Sequence, residues 1–117
     1  MFINLTNHPS EKWSEEQLTA ARNYGEIVDM TFPIIEPTLT KKGILRLVEV
    51  YTKKIVDIGN VKNVVHVMGE MTFTHNLVNA LKELGITCLA STTERSITMD
   101  PDGKKISGFK FVQFREY

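Results

Sequence analysis

The chain has a single cysteine, Cys88, among its 117 residues. Disulfides within one chain are thereby excluded, and the apolar setting "ITCLA" reads as a buried, reduced thiol rather than a catalytic or metal-bound one. An excess of charge is also missing: Lys+Arg and Asp+Glu both number 14. With no basic footprint, duplex DNA and an anionic membrane are not expected partners, and any anionic ligand has to be held by local geometry. No apolar run approaches the ~18 residues of a membrane span. The start "MFINLTNHP" lacks a charged segment followed by a long apolar one. A cytoplasmic protein is the expectation. Absent too are a Walker sequence, a GxGxxG and any Cys or His cluster at metal-ligand spacing, which speaks against a dinucleotide or nucleoside-triphosphate enzyme and against a metalloenzyme.

What is present is an alternation. With 42% hydrophobic residues the chain can bury one modest core, so residues 1–117 read as a single domain. "MFINLT" is a short apolar strand, closed by "NHPS". "SEEQLTAARNYG" is a helix with Ser14 as N-cap, Gln17 at the capping-box position and Gly25 after its end. "EIVDMTF" is a second strand before Pro33. From Thr40 to Gly59, Ile44, Leu47, Val48, Tyr51 and Ile55 recur at helical spacing. "VKNVVHVMG" resembles a central parallel strand. "TFTHNLVNALKELG" is a third helix, stopped at Gly85, and "ITCLAST" a fourth strand. "SITM" and "GFKFVQF" form a hairpin around the Asp-Gly of "DPDGKK". Its phenylalanines read as packing residues rather than a base-stacking platform.

The pattern predicts an α/β fold: a Rossmann-like parallel sheet of order 2-1-3-4, helices on both faces and a C-terminal antiparallel hairpin. The winding reverses between strands one and three, and ligands of such sheets bind beyond the carboxyl ends of the strands at that point. Three loops are expected there: "TNHPS", "GEMTFTH" and "STTERS". Together they pool Thr6, Asn7, His8 and Ser10 with Glu70, Thr72, Thr74, His75 and Asn76, and with Ser91, Thr92, Thr93, Glu94 and Arg95, while Gly69 lets the backbone come close. Added to the free N–H groups of the third helix, this inventory suits a phosphate. Each member also has a plain structural reading. Thr72, Thr74 and Glu70 can cap the helix, His8 can be a surface residue, His66 a satisfied core histidine, and "STTER" a loop with a salt bridge.

The segments "NLTNHPS" with "WSEEQ", "VHVMGEMTFTHNLVNAL" and "CLASTTER" resemble the small stand-alone CRISPR-associated proteins of type III systems related to the CARF domain, the Rossmann-like fold that senses cyclic oligoadenylates. Several proteins of that group are ring nucleases. The resemblance implies a homodimer that binds cyclic tetra-adenylate and linearises it to switch off antiviral signalling, without metal or cofactor. In that chemistry the ribose 2′-hydroxyl attacks the adjacent phosphorus and a 2′,3′-cyclic phosphate results. His8 then falls to acid–base work, as the side chain whose ordinary pKa lies nearest neutrality. Arg95 pairs with the phosphate, and Thr72 holds a non-bridging oxygen. Thr6, Asn7, Ser10, Gly69, Glu70, Met71, Thr74, Ser91, Thr92 and Thr93 would bind the ligand. The alternatives are a non-catalytic sensor or sponge of the same fold and a mononucleotide-binding protein.

Overall fold

The computed structural model describes residues 1–58 and 62–117. Its first strand, β1 (Phe2–Thr6), is buried at every position, so both of its faces are covered. Side chains alternate across a strand, and the two sets meet different helices. Ile3 and Leu5, with Val65 and Val67 of β3 (Val64–Met68), pack under α2 (Lys41–Ile58) and α3 (Met71–Glu83) through Ile44, Val48, Phe73 and Leu77. Phe2 faces the other way, onto Ala21 of α1 (Glu15–Arg22) and Leu89 of β4 (Thr87–Met99). One single-turn 3₁₀ helix, Ser10–Lys12, precedes α1.

The five strands, completed by β2 (Ile27–Asp29) and β5 (Lys105–Glu116), lie in the order β2-β1-β3-β4-β5. The first four run parallel and β5 is antiparallel to β4. The fold is therefore the α/β architecture anticipated from the alternation, with the winding reversed between β1 and β3.

Helix ends follow local chemistry. Ser14 Oγ accepts from Gln17 N at 3.2 Å, capping α1. Helix α3 closes in a Schellman motif, Gly85 N to Lys82 O and Ile86 N to Leu81 O, with Gly85 at φ +76°. The sequence-based ends of the second helix at Gly59 and of the third strand at Val61 lie outside the described residues.

Two boundaries differ from the sequence-based expectation. Strand β2 stops at Asp29, where Met30 N makes a last bond to Asn4 O. Phe32 then turns into the core against Phe73, ring centroids 5.4 Å apart. More consequentially, "STTERS" is not a loop. Strand β4 runs unbroken to Met99 and pairs with β5 from Leu89↔Glu116 to Met99↔Lys105, with a bulge at Thr92/Thr93. Thr92 Oγ1, Ser96 Oγ and Thr98 Oγ1 donate across the ladder to Gln113, Gly108 and Ile106 carbonyls. The turn is held by Asp100, whose Oδ1 accepts from the N–H groups of Asp102 and Lys104. The result is a two-stranded arm reaching past the parallel sheet, with Ile97, Met99, Ile106 and Phe109 exposed.

Candidate functional site

At the carboxyl end of β1 the chain builds a hydrogen-bonded frame around Asn4, which is 1% exposed. Asn4 Nδ2 donates to the His8 carbonyl at 2.9 Å and to Asp29 Oδ1 at 2.8 Å. Its Oδ1 accepts from Thr6 Oγ1 at 3.0 Å and faces His66 Nδ1 at 3.1 Å. Asp29 also receives Ser10 N and Ser10 Oγ. The His8 carbonyl takes a further bond from the Trp13 indole N–H at 3.1 Å. Burial raises the Asp29 carboxyl pKa, but the bonds from Asn4 and Ser10 outweigh it and leave the group below its ordinary value. The frame fixes the course of residues 7–13, the loop at the switch point.

The same frame settles the proton on His66. Both partners of Asn4 Nδ2 are acceptors, so the amide oxygen is the atom turned toward His66, and Nδ1 of the imidazole must carry the hydrogen. Burial first, and the charge of neighbouring His8 second, push the His66 pKa down to about 4. The ring is thus neutral at pH 7, with its lone pair on Nε2. That nitrogen has no hydrogen-bond partner in the protein, although the residue is only 2% exposed. An orphaned buried acceptor costs about 1–3 kcal/mol.

Above this frame lies a cleft of about 780 Å³. Thr6, His66, Met68, Gly69, Ser91 and Thr93 form its floor on the α1 face of the sheet. Asn7, His8, Lys12, Trp13 and the start of α1 (Ser14, Glu16, Gln17) form one wall, and Phe109, Lys110 and Phe111 of the arm the other. The basic side chains Lys12 and Lys110 face one carboxylate, Glu16, so the cleft has a local cationic bias in a chain of zero net charge. Of the arm's aromatics, Phe114 packs in the small core beside Phe2, whereas Phe109 is 73% exposed at the cleft. The phenylalanines therefore divide between packing and lining.

Of the thirteen residues given a catalytic or ligand-binding role from sequence, six meet in this cleft: Thr6, Asn7, His8, Gly69, Ser91 and Thr93. The other seven do not. Ser10 is engaged by Asp29, and Thr92 binds the Gln113 carbonyl across the ladder. Arg95 lies farther along the arm opposite Phe109, because the expected loop is a strand. Met71, 83% exposed, and Thr72 and Thr74 open toward two smaller hollows beside α3, of about 520 and 410 Å³.

The N-terminus of α3 is not an open phosphate cradle either. Glu70 occupies it, accepting Thr72 N at 3.1 Å, Phe73 N at 2.8 Å and the Thr72 hydroxyl at 2.7 Å. The Phe73 N–H first, then the Thr72 hydroxyl, hold the Glu70 carboxyl below its ordinary pKa. A side chain of the protein stands where a phosphate was expected, and the helix-cap reading of Glu70 holds.

Lys12, Trp13, His66 and Lys110 were not assigned to a site from sequence. His66 had a signal: as the third residue of "VVHVM" it shares a face with Asn4, its register partner, near the strand's carboxyl end. For Lys110 there was none, since its place depends on the length of the arm. Cys88 is buried, and loss of hydration raises its thiol to about 11 against the opposing charge of Lys82, in keeping with a structural thiol. Among the described residues no group of three His, Cys, Asp or Glu side chains is placed to hold a metal ion, and no helix is long and apolar enough to cross a membrane.

Neither a curated protein nor a solved structure matches the chain. A family model, described as the Uncharacterized protein MJ1673 family, matches residues 1–115, and the chain belongs to that family.

Proposed function

We propose that the cleft binds a cyclic oligoadenylate, cyclic tetra-adenylate in the first instance, and that the protein is a ring nuclease that linearises it. The observation that carries this reading is the cleft itself. Two imidazoles, two lysines and three aromatic rings line a single hollow at the switch point, over a hydrogen-bonded frame. Lysines suit phosphates, aromatic faces suit adenines, and the position is where α/β sheets take nucleotides. The resemblance of the loop segments to type III CRISPR-associated proteins points to the same ligand, to a homodimer sharing one ring, and to a cytoplasmic setting.

Cleavage needs an in-line 2′-oxygen and the management of two protons. The 2′-hydroxyl forms a bond to phosphorus and gives up its proton, while the bond to the 5′-oxygen breaks and that oxygen gains one. His8 is the acid–base group of the cleft, and Lys12 and Lys110 offset the charge on the phosphoryl oxygens. These two lysines take the part that the sequence suggested for Thr72 and Arg95.

A second reading, binding without cleavage, has an observation of its own in favour. The Thr72 hydroxyl is held by Glu70 and Arg95 stands outside the cleft, so His8 alone serves a reaction that moves two protons. Incubation with cyclic tetra-adenylate in EDTA, followed by chromatography of the products, separates the two. Conversion to linear product with a 2′,3′-cyclic end, lost in His8→Ala while binding persists, supports the nuclease. A bound but uncut ring makes the protein a sensor or sponge.

A further inference from the structure

We infer that His66 reads the base in this cleft, its Nε2 accepting a hydrogen bond from the exocyclic amino group of a purine. The inference rests on the nucleotide reading above and adds the feature that the cleft recognises.

Three observations converge on that nitrogen. First, its protonation state is imposed from behind. Asp29 and the His8 carbonyl orient the Asn4 amide, Asn4 Oδ1 takes the proton of His66 Nδ1, and Nε2 is left as an acceptor. An acceptor without a proton repels phosphate oxygens and selects a donor. Second, the nitrogen has no protein partner although the side chain is almost wholly buried and belongs to the cleft floor. A phenylalanine in the same place would pack among Phe2, Trp13 and Phe114 without leaving a polar atom unpaired, so packing alone does not account for the imidazole. Third, the surroundings suit a flat heterocycle. The Trp13 ring stands edge-on to His66 with centroids 5.5 Å apart, and Trp13 also lines the cleft.

Nε2 is closed to solvent in the ligand-free chain. Of the rings packed on His66, those of Phe2, Trp13 and Phe114, Trp13 is the one that also lines the cleft, so on this inference a base that reaches Nε2 turns Trp13 aside and breaks the indole bond to the His8 carbonyl. Trp13 is the only tryptophan of the chain, so its fluorescence reports that movement directly.

The test compares cyclic tetra-adenylate with cyclic tetra-inosinate, in which a carbonyl oxygen replaces each exocyclic amine. Wild-type protein should prefer the adenine ring by about tenfold or more, the ratio carried by one hydrogen bond of ordinary net strength. Its His66 Nε2 nitrogen resonance should shift only with the adenine ring. In His66→Asn the amide can still donate to Asn4 but nothing stands at Nε2, and the preference should vanish; His66→Gln, which can place an amide oxygen there, should restore part of it. Should His66→Asn fail to fold, the wild-type preference and nitrogen shift decide alone. Equal affinity for the two rings, or an Nε2 resonance unmoved by the adenine ring, overturns the inference and leaves the nucleotide site standing. Failure of both rings to bind overturns the site as well.

Discussion

Asn4 and His66 face each other across the β1–β3 pair, amide oxygen to Nδ1 at 3.1 Å, and this contact joins the frame of the switch-point loop to the floor of the cleft. Removing the amide leaves the His66 N–H and the Asp29 carboxylate each short of a partner. Asn4→Ala should therefore cost roughly 2–4 kcal/mol, as a buried network loses its centre. Urea unfolding monitored by circular dichroism measures this, and a loss below about 1 kcal/mol would show that the frame does not organise the loop.

The neutral His66 makes stability depend on pH in a defined window. Its pKa is about 4 in the folded chain against an ordinary 6.5. Above 6.5 the imidazole is neutral in both states and its contribution is fully present. Between 6.5 and about 4 only the unfolded chain takes up the proton, so stability falls as pH falls. The total is roughly 3 kcal/mol. Urea midpoints from pH 7 to 4.5 should drop, and His66→Gln should flatten that part of the curve. A midpoint that holds constant would mean that the ring is solvated and free to protonate.

Why half of the site was legible in sequence follows from what fixes each part. Strand order, the three long helices and the loop after β1 rest on periodicity, caps and turn residues, all local signals. Thr6, Asn7 and His8 reached the cleft for that reason. The arm is only partly so: the Asp-Gly turn announces the hairpin of Ser96–Met99 with the last strand, but Thr92–Arg95 carries no buried alternation, and its strand conformation depends on pairing with residues 109–113, which no short window encodes. Arg95 was misplaced by that fact and Lys110 was overlooked. Glu70 shows a second limit, because a carboxylate at a helix start can flank a ligand site or fill it, and only coordinates distinguish the two.

Gly69 stands where a Cβ would run into the ring of Phe32. Gly69→Ala should destabilise the protein by about 1–3 kcal/mol through overpacking, and adding Phe32→Leu should recover part of the loss. Thermal unfolding of the single and double variants checks this. Additive losses would mean that the two residues do not share the space.

Cys88 should resist alkylation at pH 8, since burial both shields the thiol and raises its pKa to about 11. Mass spectrometry after iodoacetamide should find the folded chain unmodified and the urea-unfolded chain carrying one adduct. Rapid modification of the folded form would show that the strand is accessible.

The central claim is that the cleft between the β1 loop and the arm holds the nucleotide. Calorimetric titration of cyclic tetra-adenylate into wild-type protein and into Lys12→Ala/Lys110→Ala tests it most directly. The account predicts saturation at one ring per two chains and a loss of affinity of about tenfold or more in the double variant, steeper at low salt. Undiminished binding by the double variant, or no heat with the wild-type chain, would contradict it.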